Sequence, residues 1–268
     1  MDNTLKIGIT ERGDAGINLA WVNKMHTVDG AILITKNITE HFQKEVLAQT
    51  KPVIVHCTCT GYGGTTLEPC VPNYKAQLDN LADLIDRGFP ACNCVLRIDP
   101  IFPSEKGLKK VRDVLDYFIS LELEINRIRV SIVDEYKHVK ERYRQHGWNP
   151  LYGDNFYPSF EQIKAVADTL NEYQDYGCVI GYTKDNWKFQ YETCAEDTLV
   201  QFLKGGKKQG CISLQDLDYL GYDVDYINKI YFNENPQNRR GCHCLNCKTE
   251  LLTERKPCPN GCVYCFWK

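Results

Sequence analysis

The chain has 268 residues, 43% of them apolar and 25% charged, with a formal net charge of −3. Such a chain buries a large core, as one big domain or two smaller ones, and it is neither disordered nor fibrous. The charge excludes a global attraction to phosphate, so nucleic-acid contact would fall to small patches such as Lys204 to Lys208 or Arg239 and Arg240, each of which reads more simply as a solvated face.

The first residues, MDNTLKIGIT, lack the basic stretch and apolar core of a signal peptide, and no apolar run is long enough for a bilayer. The expectation is a cytoplasmic protein with no membrane contact. From there two periods alternate along the chain. β-rich runs occur at LKIGIT, AILIT, PVIVHCTCT, CNCVLRID, INRIRVSIVD and CVIGYT. Helical spacing is predicted over 14–25, 39–49, 74–87, 107–122 and 135–145. A further helix begins near Ser159, where Ser159 and Gln162 suit a capping box, Phe160, Ile163, Val166, Ala167 and Leu170 share a face, and Gly177 suits the stop. Repeated strand then helix predicts an α/β fold with a parallel sheet, either open or closed; the strand count favours a TIM-like (β/α) barrel over 1–235, followed by a cysteine-rich tail over 236–268.

In that architecture chemistry gathers where strands end. The polar residues there are Thr35, Lys36 and Asn37 after the second run, Thr60, Tyr62 and Glu68 after the third, Arg97 and Asp99 of RIDP after the fourth, and Asp134 after the fifth. Taken singly, each reads equally well as a turn, cap or salt-bridge residue. Gly61, Gly63 and Gly64 fit no phosphate-loop spacing and are expected to let the backbone turn or approach a ligand closely. No G-x-S-x-G elbow or H-E-x-x-H helix supports a hydrolase.

Fourteen cysteines are anomalous in a reducing compartment, where clustered thiols more often bind metal or do redox chemistry than pair. Cys57, Cys59, Cys92 and Cys94 alternate within strand-like runs and read as small core or barrel-lining residues; Cys70 and Cys178 carry no signal alone. The tail is different. Cys258, Cys262 and Cys265 form C-x-x-x-C-x-x-C, which can ligate three irons of a 4Fe-4S cluster and leave the fourth open for the amino and carboxylate groups of S-adenosylmethionine. Tyr264 could then pack against the adenine. The same region also offers Cys244-x-x-Cys247 and Cys262-x-x-Cys265, 14 residues apart, which is close to zinc-ribbon spacing and would make the tail a structural staple.

The stretch TCTGYGGTTLEPCVPNYKAQL, then LRIDPIF, ETCAE, GCISLQDL and the terminal CPNGCVYC, resembles a bacterial barrel family of unknown function that carries radical-S-adenosylmethionine-like cysteines at its C-terminus and is distantly similar to the spore photoproduct lyase group. The match runs from ILITKN to the end. It implies a partial or permuted radical barrel with a cluster on Cys258, Cys262 and Cys265 and a rim of Lys36, Thr60, Tyr62, Glu68, Arg97 and Asp99. It also implies further ligands at Cys194, Cys211, Cys242 and Cys244, which with Cys247 would hold a second iron–sulfur cluster or zinc. Two features depart from the family: ITERGDAG is all that stands for its N-terminal stretch, with Arg12 and Asp14 as its equivalents, and Cys247 with the helix-like KTELLTERK is an insertion.

The implied activity is reductive cleavage of S-adenosylmethionine to a 5′-deoxyadenosyl radical that acts on an unidentified substrate, with a nucleobase or nucleoside suggested by the distant similarity. Glu68, Arg97 and Asp99 would orient cofactor or substrate, Tyr62 or one of the nearby cysteines would return or relay a hydrogen atom, and Lys36, Thr60, Asp134 and Tyr264 would hold the cofactor. A flavodoxin or ferredoxin would supply electrons. Because the cysteine loop arrives last, the tail must fold back onto the strand ends. The competing reading is a zinc-stabilised barrel that binds a ligand or nucleic acid without redox chemistry.

Overall fold

The structure, a computed structural model, describes residues 5–174, 188–193, 197–223, 248–254 and 258–267. Its frame is one sheet of eight strands: β1 (Ile7–Ile9), β2 (Gly30–Thr35), β3 (Val53–Thr58), β4 (Cys94–Ile101), β5 (Arg127–Ile132), β6 (Gln190–Thr193), β7 (Lys207–Lys208) and β8 (Lys248–Glu250). The order is β7-β6-β5-β4-β3-β2-β1-β8 and every pairing is parallel. Chain order is thus kept except that β8 lies beside β1, with Ile7 opposite Lys248. Parallel neighbours need crossovers: a 3-10 helix over Leu19–Thr27 lies between β1 and β2, and the helices α1 (Glu40–Leu47), α2 (Tyr74–Asp86), α3 (Glu105–Ser120), α4 (Lys137–Gln145), α5 (Phe160–Asn171) and α6 (Asp197–Phe202) lie between the strands from β2 to β7.

Capping residues close the βα loops. Thr39, Asn73 and Ser104 each accept a hydrogen bond from the backbone three residues on, and Ser159 and Gln162 form the expected capping box. Alternation along the strands then separates two buried faces. Leu33, Val55, Leu96, Ile128 and Val130 pack with Phe42, Leu81, Val114 and Val166 of the helices. On the opposite face Ile7, Ile9, Ile32, Ile54 and Val95 pack against Leu217 and Leu220 at α7 (Leu214–Tyr219), a short helix with its own Ser213–Asp216 capping box.

The same inner face carries charge. Arg127 donates through Nη2 to Asp216 Oδ1 at 2.6 Å, Glu192 Oε1 at 3.1 Å and Ser213 Oγ at 3.1 Å. Arg129 lies 3.7 Å from Glu192 and 3.8 Å from Asp216. All four ions are almost wholly buried, and two of each sign leave the group neutral, as buried charge requires. His56, also fully buried, stands 3.7 Å from Asp216; burial outweighs that carboxylate and lowers its pKa to about 4, so it stays neutral.

Several expectations change. The helix expected over 14–25 is a 3-10 helix at Leu19–Thr27. KTELLTERK is not helical at its start: Lys248–Glu250 is the edge strand β8, because β1 offers it an unpaired ladder. Cys57, Cys59 and Cys94 pack in the sheet–helix core, whereas Cys92 is exposed in the turn Ala91–Asn93. CVIGYT and Gly177 lie outside the described residues; the strand that follows α5 there is β6. Among the described residues no helix is long and apolar enough to cross a membrane.

Candidate active site at the strand ends

At the C-terminal edge of the sheet a cavity of about 940 Å³ is lined by residues at the ends of β2, β3, β4 and β5, by residues following β1, β2, β5 and β8, and by the tail segment 258–267. Cys258, Cys262 and Cys265 all line it, and none is in a disulfide. So do Lys36, Arg97, Asp99, Asp134 and Tyr264 among the residues read from the sequence.

Specific bonds hold the tail there. Asn260, inside the cysteine loop, donates to Asp14 Oδ2 at 2.7 Å and accepts from Asn37 Nδ2 at 2.7 Å. Asp14 also takes Gly16 N at 2.9 Å, Thr35 Oγ1 at 2.6 Å and Lys36 N at 2.8 Å, so both its oxygens are saturated. Asn260 O accepts from Cys70 N at 3.3 Å, and Val263 N donates to Leu67 O at 3.0 Å. Arg142 donates to the carbonyl of Cys265. Within the loop the turn is closed by Gly261 N to Cys258 O, and Gly261 has φ 64°, a left-handed value that favours glycine.

Glu68 lies behind the cavity wall, 1% exposed. It accepts from Lys36 Nζ at 2.8 Å, Thr60 Oγ1 at 2.7 Å and the Tyr264 hydroxyl. Burial raises its pKa, but Lys36 and these hydrogen bonds outweigh that and hold it below the usual carboxylate range. Lys36 is desolvated too, yet Glu68 raises its pKa. Lys36, Thr60, Glu68 and Tyr264 are therefore one bonded unit that ties the cysteine loop to β2 and the β3 loop. Tyr62 is not on the cavity: it stacks edge-on against Phe102, itself edge-on to Tyr264, and burial lifts its pKa to about 12.

On the cavity floor Arg97 pairs with Asp99, and Ser131 donates to the other oxygen of Asp99. Burial raises the pKa of Asp99, and Arg97 with Ser131 more than offsets it. Of the glycines after β3, Gly63 is fixed by close approach to protein: a Cβ there would stand 1.7 Å from the Pro72 carbonyl oxygen.

Burial lifts the thiol pKa of Cys262 to about 12, with Lys36 pulling it down, and also raises that of Cys258. Among the described residues no three His, Cys, Asp or Glu side chains are grouped to hold a metal ion. Cys258, Cys262 and Cys265 line one cavity, and three thiols are the donor set of a cubane with one iron left open, each thiolate binding a different iron. Cys194, Cys242, Cys244 and Cys247 lie outside the described residues. Cys211 is described but stands apart from the cavity lining, with its carbonyl on Arg129 at 3.3 Å and its side chain hydrogen-bonded to Glu11.

Asp14, Asn37 and Asn260 are the residues whose importance the sequence understated. Their only local signal was position at a strand end or in the cysteine loop; the contact joins three segments far apart in the chain. No curated protein matches the chain. A family profile described as a domain of unknown function, DUF1848, matches residues 18–267, and the chain belongs to that family.

Proposed function

We propose that the protein is a radical enzyme that holds a 4Fe-4S cluster on Cys258, Cys262 and Cys265 and uses S-adenosylmethionine at the cavity to act on a small substrate. The observation that carries this reading is that all three thiols of the C-x-x-x-C-x-x-C loop line the same cavity as the charged groups at the strand ends. When bound, the cluster would supply one electron to the sulfonium and an open iron for the cofactor's amino and carboxylate groups.

The chain's own residues would do the rest. Asp14 and Asn37 orient the cysteine loop through Asn260, and Glu68 fixes Tyr264 between the second and third thiols. Lys36 sets a positive charge near Cys262, which favours its thiolate. Curled as a partial barrel, the sheet would leave the cavity at its mouth, and the walls contributed by the tail would shield reactive species from water.

The test is iron, acid-labile sulfide and zinc content of protein purified without air, for wild type and the Cys258→Ala, Cys262→Ala, Cys265→Ala triple variant. Brown wild-type protein that bleaches with dithionite, and a variant that has lost about four irons, is the expected result. Colourless wild type with stoichiometric zinc and no iron uptake on reconstitution overturns it and leaves a zinc-stapled binding protein.

A further inference from the structure

We propose that the cavity floor binds the anionic head of a small molecule, a carboxylate or a phosphate, through Arg97 and Thr58. The proposal names the substrate chemistry of the site described above and rests on that reading only in calling the ligand a substrate.

Thr58 and Arg97 are register partners on β3 and β4, and Arg97 is in turn the register partner of Arg129 on β5. Both Thr58 and Arg97 line the cavity. The inner-face row therefore sets a hydroxyl beside a guanidinium, with a second guanidinium next along it. Arg129 is matched by Glu192 and Asp216, while among the described residues Asp99 is the carboxylate within 4 Å of Arg97.

The carboxylates of the lining are already engaged, Asp134 and Glu254 among them. Asp14 is saturated by backbone and side-chain donors, both oxygens of Asp99 are engaged by Arg97 and Ser131, and Glu11 holds Lys248. Donors, in contrast, are left over. Among the described residues Asp99 takes one N–H of Arg97 Nη2, so the second N–H of Nη2 remains with Nε and Nη1, and beside one of these two it forms the open fork edge. Thr58 Oγ1 is buried, the residue being 4% exposed, and has no partner among the described residues. A buried hydroxyl without a partner costs free energy unless something fills the place, and a guanidinium edge held by a carboxylate on one side presents paired donors on the other. What the floor lacks is an acceptor with two or more oxygens. Arg97 would take two of them and Thr58 a third contact, with the remainder of the ligand directed toward the thiols.

Calorimetric titration of the full-length, cluster-free protein at constant ionic strength, with inorganic phosphate in one arm and succinate in the other, tests this. Saturable one-to-one binding of one probe is expected; phosphate marks a phosphorylated ligand and succinate a carboxylate one. Arg97→Lys keeps the charge but loses the fork and should weaken binding about tenfold or more; the isosteric Thr58→Val should weaken it by about threefold to tenfold while leaving the fold intact. If Arg97→Lys does not fold, Thr58→Val decides alone. No saturable binding of either probe, or binding that the variants leave unchanged, overturns the proposal. The same titration on a Cys258→Ser, Cys262→Ser, Cys265→Ser variant separates the two readings. Anion binding that persists there supports the floor site whatever metal the tail holds, and a zinc-containing wild type that still binds the probe sinks the radical reading alone.

Discussion

Asn260 donates its side-chain amide to Asp14 Oδ2 at 2.7 Å, a bond that joins the loop after β1 to the cysteine loop across 246 residues of sequence. It is buried and backed by Asn37, so the loop is held by protein contacts alone. Asn260→Asp is nearly isosteric but would place two carboxylates at hydrogen-bond distance. It should cost roughly 2–4 kcal/mol in urea unfolding at pH 7 and raise hydrogen exchange over 258–267 above that of β2 and β3. Unchanged exchange over 258–267 would show that other contacts dock the tail.

Lys36 and Glu68 form the second tie, and a double-mutant cycle measures it. Glu68→Ala leaves a desolvated ammonium and a stranded Tyr264 hydroxyl, and should destabilise by about 3 kcal/mol. Adding Lys36→Met to Glu68→Ala should recover part of that loss, because the uncompensated charge goes with it. Strict additivity of the two substitutions would mean that the pair is too hydrated to couple.

Much of the frame was legible because it is local. Strands β2 to β5 and helices α1 to α5 announce themselves by period and by caps, as Ser159 and Gln162 do in the capping box. What escaped was either too short or too distant for a period to reveal. β8 is three residues, given shape only by the free edge of β1, and α7 is six. The run RIRVSI of β5 shows a third limit: alternation separates Arg127, Arg129 and Ser131 from Ile128, Val130 and Ile132, but both sets are buried or nearly so. Pattern says which residues share a face; it does not say that the polar face looks inward, toward α7 and the cavity. Lys36, Arg97 and Asp99 follow from position at strand ends, whereas Glu68 and Tyr264 bond each other behind the wall, a relation no spacing encodes.

The inner ionic group makes a sharper stability prediction. Arg127→Ala would leave Glu192 and Asp216 buried with only Arg129 to face them, and should destabilise by about 3–5 kcal/mol in urea unfolding. Arg112→Ala, which removes an exposed pair with Glu172, is the control, and should cost at most about 1 kcal/mol. Equal effects would mean that water reaches the inner face.

The pH dependence of stability follows from His56. Burial depresses its folded-state pKa from an ordinary 6.5 to about 4, despite the pull of Asp216, so the unfolded chain takes up this proton first. The contribution is fully present above about pH 6.5 and lost as pH falls toward 4, amounting to about 3 kcal/mol over that interval. Glu68, Asp99 and Asp216 all have lowered pKa values, so their contributions fade only below the ordinary carboxylate range, near pH 4. Burial raises the Glu250 pKa, so that group gains stability as pH falls, and a loss of stability between about pH 6.5 and 4.5 therefore points to His56. His56→Gln cannot titrate and should flatten the stability curve there, whatever its effect at pH 7. Urea midpoints for wild type and variant that fall in parallel across that window would place the titrating group elsewhere.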